Sequence, residues 1–226
     1  MRKLQPHWIA VSILVLRAAL GIFYSATVPI WEAFDEPGHY EYVRYIVTRR
    51  ALPRTGDPEA EQISESLQPP LYYLLGALSM IWIDISDDLE PISNPFFPAG
   101  TGGVNYAVHP NSEEFPYRGT ILAVHTVRGL SVALSLVGIL LTYLIGLTIA
   151  PSRKGIAIGA MAIHAFWPQF LFNGSVVTND VLASAIGSAI ILVLVRMVQG
   201  LGSALQVLTL GLLFGLGLLS KLNTLS

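Results

Sequence analysis

Residues 8–45 read WIAVSILVLRAALGIFYSATVPIWEAFDEPGHYEYVRY. The first half, Trp8–Val28, is apolar for about the 20 residues that a bilayer-crossing helix needs. The second half, from Trp31 to Tyr45, packs Glu32, Asp35, Glu36, His39, Glu41 and Arg44 among aromatic residues. Ionisable groups crowd the point where the chain leaves an apolar segment. The fold depends on whether that segment stays in the membrane. It is long for a signal peptide, Arg17 interrupts it, and the small-residue site around Ser25 and Ala26 is a weak cleavage signal. We read it as a retained helix.

Composition supports that reading. The chain of 226 residues is 53% hydrophobic and 12% charged, with a mean hydropathy of +0.58, where a soluble domain carries about 25% charged residues. Further apolar runs cover 120–150, 155–172, 180–197 and 204–222, with a shorter one at 70–85. The expected fold class is an all-α integral membrane protein, a polytopic bundle of five spans with a large extracytoplasmic first loop. Cysteine is absent, which excludes disulfides, thiolate metal sites and cysteine nucleophiles. No basic run or stripe points to nucleic acid.

Charge gives the orientation. Cytoplasmic loops collect Lys and Arg. Arg2 and Lys3 precede the first run, Arg153 and Lys154 separate two later ones, and Arg196 closes another. These belong on the inner face. The stretch 29–119 then lies outside, and it holds fourteen of the fifteen acids against five basic residues. The run 70–85 must start and end on the outer face, as a juxtamembrane or re-entrant helix. A rival count makes it a span, but places Ser152–Gly155 outside. At 1.5 Å per residue the run reaches about 24 Å, short of a core of roughly 30 Å.

Several residues at the outer face have chemical potential. Asp35 and Glu36 open an amphipathic helix, with Tyr40, Val43, Ile46 and Val47 on one side and Glu41, Arg44 and Thr48 on the other. Such a helix can lie on the membrane surface. Carboxylates beside lipid are costly unless paired or hydrated, so they are often functional; here they could equally sit in a solvated loop with a Glu41–Arg44 helical contact. Asp180 is the sole acid beyond Glu114. It is either part of a helix N-cap with Asn179 or a second carboxylate converging on Asp35, as base and organiser of a metal or phosphate site. Pro69–Pro70 prevents the helix of the short run from extending backward, and Tyr72–Tyr73 suit the interface. Arg17 and Arg128 are cations inside apolar runs that either snorkel or pair with acids. His109, His125 and His164 lack ligand spacing, so no metal residue is assigned.

The order of motifs resembles a known family. FDEPGHYEYVRYI is followed by QPPLYYLL, VRGLSVALSLVGILLTYLIG, AFWPQFLFNGSVVTNDVLA and GLLFGLGLLSKLNTL. This set is similar to the GT-C superfamily of membrane glycosyltransferases, in particular family-39-like enzymes related to protein O-mannosyltransferases and aminoarabinose transferases. The likeness runs from Trp8 to Leu225. It implies transfer of a sugar from a polyprenyl-phosphate donor to an acceptor hydroxyl at the outer face, within the cell envelope. It implies catalytic roles for Asp35, as general base, and Glu36, with Asp180, Gln68, Tyr72, His39 and Arg128 binding substrate. Gln68 stands where relatives often carry Lys or His, so the position brings no charge to a donor phosphate. A divalent cation is compatible with the family but not required. Relatives have more spans than the five read here, so the chain is expected to be the N-terminal part, residues 1–226, of such a transmembrane domain. A second reading is a non-catalytic membrane subunit packed against membrane-protein partners in a larger complex. A transporter would need broken helices with polar groups at mid-membrane, for which only Arg17, Arg128 and His164 qualify.

Overall fold

A computed structural model describes residues 5–87, 89, 91–97 and 105–222, and the described part is helical. In chain order the helices are α1 (Gln5–Thr27), α2 (Glu36–Arg49), α3 (Leu71–Met80), α4 (Gly119–Ile149), α5 (Lys154–Phe166), α6 (Pro168–Asn173), α7 (Asp180–Arg196) and α8 (Ala204–Ser220). A single antiparallel bridge, Ser93 with Ala107, is the β-type pairing among the described residues. Three helical stretches are long and apolar enough to cross a membrane: His7–Thr27, Gly119–Ile149 and Asp180–Gly200. Their broad exposure of Ile, Leu, Val and Phe fits contact with lipid, where apolar surface needs no cover.

The run 155–172 is not one helix. Pro168 lacks an N–H and forces the preceding residue out of the helical region. Trp167 accordingly sits at φ −63°, ψ 118°, and the chain restarts as α6. The run 70–85 condenses to α3, ten residues long. It starts directly after Pro70, as the paired prolines require, and packs against α2, α4 and α8.

α4 is the central post. At 1.5 Å per residue its 31 residues reach about 46 Å, well beyond a hydrocarbon core of about 30 Å. Its first turns pack against α3. Val124 and Val127 of α4 join Tyr40, Val43, Tyr72, Tyr73 and Val177 in one buried cluster. The apolar side of α2 is therefore covered by protein. Tyr40, Tyr42, Val43 and Tyr45 are all buried, so its apolar side faces α3 and α4. Two glycines permit the close packing. A Cβ on Gly76 would meet the Val43 side chain at 2.9 Å, and one on Gly146 would meet the Ala157 backbone at 2.6 Å. α8 begins with a Ser-x-x-Gln capping box, in which Ser203 Oγ accepts from the Gln206 N–H and Gln206 Oε1 accepts from the Ser203 N–H, satisfying two otherwise orphaned donors.

Candidate functional site

The base of the site is a buried ion pair. Arg128 Nε donates to Glu36 Oε1 at 2.7 Å, and Nη2 donates to Oε2 at 2.6 Å. Neither side chain has any exposure. The remaining guanidinium hydrogens go to main-chain oxygens at the end of α1. Nη1 donates to Ser25 and Val28, both at 2.7 Å, and Nη2 to Pro29 at 3.1 Å. A guanidinium has five N–H donors, and all are used. Glu36 also accepts from the Val177 N–H at 2.9 Å and the Trp31 N–H at 3.1 Å, which fills both oxygens. Trp31 is buried with φ at 73°, a strained conformation for a residue with a side chain. Its bond to Glu36 and its contact with the Tyr40 ring at 5.4 Å hold it there. One ion pair thus fixes α1, α2, α4 and the 175–178 segment relative to one another.

All five Arg128 donors and both Glu36 oxygens are thus engaged within the protein, and the pair ties these elements together. Tyr72 is engaged in the same way. It is fully buried, its hydroxyl lies 2.7 Å from Ser131 Oγ and accepts from the Thr178 N–H at 3.1 Å, and it joins α3 to α4 and to the 175–178 segment. Burial raises its pKa, so it stays a neutral phenol. Gln68 is half-buried. Its Oε1 accepts from Asn179 Nδ2 at 3.4 Å and its carbonyl from Tyr42 Oη at 3.4 Å, so it serves as a spacer between loop and helix.

Above the pair, Asp35, His39 and Asp180 do meet, lining one cavity of about 210 Å³. Asp35 is exposed and its carboxylate does not cap α2. His39 is buried, with Nδ1 2.8 Å from Tyr73 Oη. Burial and the charge of Lys221 push its pKa down to about 4, with Asp180 opposing, so its ring is neutral near pH 7. Either Tyr73 donates to Nδ1, leaving the ring hydrogen on Nε2, or Nδ1–H donates to the Tyr73 oxygen. Tyr73 in turn stacks on Tyr42, centroids 3.9 Å apart. Asp180 begins α7, where Asn179 takes the N-cap position without a side-chain capping bond, and it receives Lys221 Nζ at 2.5 Å.

Sequence reasoning missed two contributors. Lys221 is the one basic residue beyond Arg196. It ends an apolar run, a place where a cation is costly without a partner, and this was the available signal. Gln169 and Asn173 line the same cavity and are joined by a hydrogen bond from Gln169 Nε2 to Asn173 Oδ1 at 2.9 Å. Their signal was a polar pair four residues apart just after Pro168, hidden within an apolar run. From Asp180 and Lys221 a second groove, about 500 Å³, continues along α7 past Ala183, Ser184, Gly187 and Ser188. Carboxylates and a cation thus stand at the head of a groove bordered by small residues. Among the described residues, no group of three or more His, Asp or Glu side chains is arranged to hold a metal ion. The site as described can bind an anionic headgroup through Lys221 and remove a proton through Asp35. No protein-family model, curated protein or solved structure matches the chain.

Proposed function

We propose that this protein is a membrane glycosyltransferase that moves a sugar from a polyprenyl-phosphate donor to an acceptor hydroxyl at the extracytoplasmic face. In this reading the chain crosses the bilayer five times, with α5–α6 jointly and α8 as the two further crossings. The observation that carries the reading is the meeting of Asp35 and Asp180 at one cavity, beside Lys221 and the α7 groove. Such a donor has a phosphate at the interface and an isoprenoid tail in lipid. Lys221 suits the phosphate, and the groove suits the start of the tail. Asp35 takes the acceptor's proton, the acceptor oxygen bonds to the anomeric carbon, and the phosphate departs with the electrons of the broken C–O bond. Positive charge at the anomeric carbon and negative charge on the leaving group develop together. Glu36 and Arg128 hold the frame.

The test is transfer from a panel of polyprenyl-phosphate sugars by membranes holding the full-length protein, with Asp35→Asn in parallel. Transfer that disappears with Asp35→Asn supports the reading. Transfer that survives it removes Asp35 as the base. One observation favours a second reading. The cavity at Asp35, about 210 Å³, is below the roughly 300–1,000 Å³ of ligand pockets. That suits a non-catalytic subunit whose outer face packs against other membrane proteins. A folded full-length protein that transfers nothing from the whole panel would favour it.

A further inference from the structure

Glu32 lies three residues before Asp35 and takes part in none of the chemistry above. Its Oε2 accepts from the Tyr106 N–H at 2.9 Å, and Oε1 accepts from the Ala107 N–H at 3.0 Å. The same Oε1 is 2.7 Å from His109 Nε2, while His109 Nδ1 is 2.8 Å from Glu113 Oε2. Residues 106 and 107 belong to a short extended pairing, in which Asn94 donates to the Tyr106 carbonyl and Val108 donates to the Ile92 carbonyl. Glu32 therefore fastens the far part of the outer loop to the junction that carries Asp35. The junction is short: the Glu36 N–H already closes onto the Ala33 carbonyl at 3.0 Å.

Both ring nitrogens of His109 face carboxylate oxygens at hydrogen-bond distance. A neutral imidazole has one N–H and one lone pair. One contact would then set a lone pair against a carboxylate, so the geometry requires an extra proton within the cluster. We propose that Glu32, His109 and Glu113 form a proton-dependent clamp that positions the Asp35 segment, closed while the cluster holds that proton and loosened when it is lost. Glu32 and His109 act through the segment rather than on substrate, and are positioning residues. The charged and titratable surroundings are Arg128, from α4, and Glu114 and His125, which line a cavity of about 390 Å³ together with His109 and Glu113. Burial works against the His109 charge, but Glu32 and Glu113 outweigh it and raise its pKa above the ordinary 6.5. Burial likewise works against the Glu32 charge, and the amides of Ala107 and Tyr106 with His109 outweigh it, holding it below 4.5. Burial raises Glu113 above its ordinary 4.5, with His109 opposing. The histidine's contribution is complete below its unfolded value and is lost as pH rises through the raised one. The Glu32 contribution is complete above its unfolded value and is lost in acid.

The effect on transfer rests on the reading of Asp35 given above; the clamp itself does not. The test follows the His109 ring by NMR in the full-length protein, together with hydrogen-exchange protection of the Tyr106 and Ala107 amides. We expect His109 to titrate above its ordinary value. We expect protection, corrected for intrinsic exchange, to fall about tenfold between about pH 6 and pH 9, as one charge-assisted bond is lost. His109→Gln should abolish that pH dependence, and Glu113→Gln should move the His109 titration downward. A His109 that titrates below 6.5, or protection that is flat with pH, overturns the clamp. If the clamp titrates as described but the protein transfers no sugar, the clamp stands and the catalytic reading fails.

Discussion

Asp35 stands exposed at the rim of a cavity, while the next residue, Glu36, lies sealed with both oxygens occupied by Arg128, Trp31 and Val177. The same functional group, one position apart, meets opposite surroundings. A buried carboxylate with filled acceptors holds structure and has nothing to offer a substrate. An exposed carboxylate that caps nothing adds little to stability and is free to act. The start of α2 creates the difference: Asp35 precedes the first turn and Glu36 opens it, so their side chains leave the backbone in different directions.

The largest effect should come from breaking the inner half of that contrast. Arg128→Met strands the Glu36 carboxylate and should cost about 3–5 kcal/mol, the usual penalty for removing one partner of a buried pair. Thermal unfolding in detergent would register it. Asp35→Asn should behave in reverse. We expect a melting temperature within the range of an ordinary surface change, under about 0.5 kcal/mol, together with a loss of transfer of about 10²–10⁴-fold. Lys221→Met tests the cation at the groove. Its removal should weaken donor use by about tenfold, near the lower end for a charged hydrogen bond, as a raised KM for the donor. His39 sharpens the comparison through pH. Its lowered pKa means that the unfolded chain binds a proton the folded chain refuses. Stability should be full above pH 6.5 and fall as the pH drops toward about 4. In His39→Gln that part of the slope should vanish. The smallest effect belongs to Glu41→Ala. It removes the partly exposed contact of Glu41 with Arg44 at 3.1 Å and should change stability by about 0.3–0.5 kcal/mol.

Three of the apolar runs were legible as helices long enough to cross a membrane, because length and hydropathy are what such a helix needs. Pro168 and the pair Pro69–Pro70 were equally legible as breaks, although the consequence of Pro168, two helices in place of one run, was not drawn from it. The juxtaposition of Asp35 with Asp180 was anticipated from topology, since both were assigned to the outer face. The fates of Glu36, Arg128 and Tyr72 were not legible. A buried acid and a catalytic acid have the same letter in sequence. What separates them is whether a distant cation, here 92 positions away, spends all its donors on the carboxylate. α2 was open for a related reason. Its amphipathic pattern fits a membrane surface and a protein core alike, and its packing against α3 is a long-range fact that the local pattern does not carry. Lys221 escaped notice because its partner Asp180 is 41 residues earlier, with no local spacing to link them.

The most direct test sets Asp35→Asn and Glu36→Gln side by side in the same full-length protein, measuring sugar transfer and thermal unfolding on each. The account predicts that Asp35→Asn keeps the parent's melting temperature and loses transfer, while Glu36→Gln loses stability first. A folded Asp35→Asn that transfers sugar at the parent's rate would contradict it.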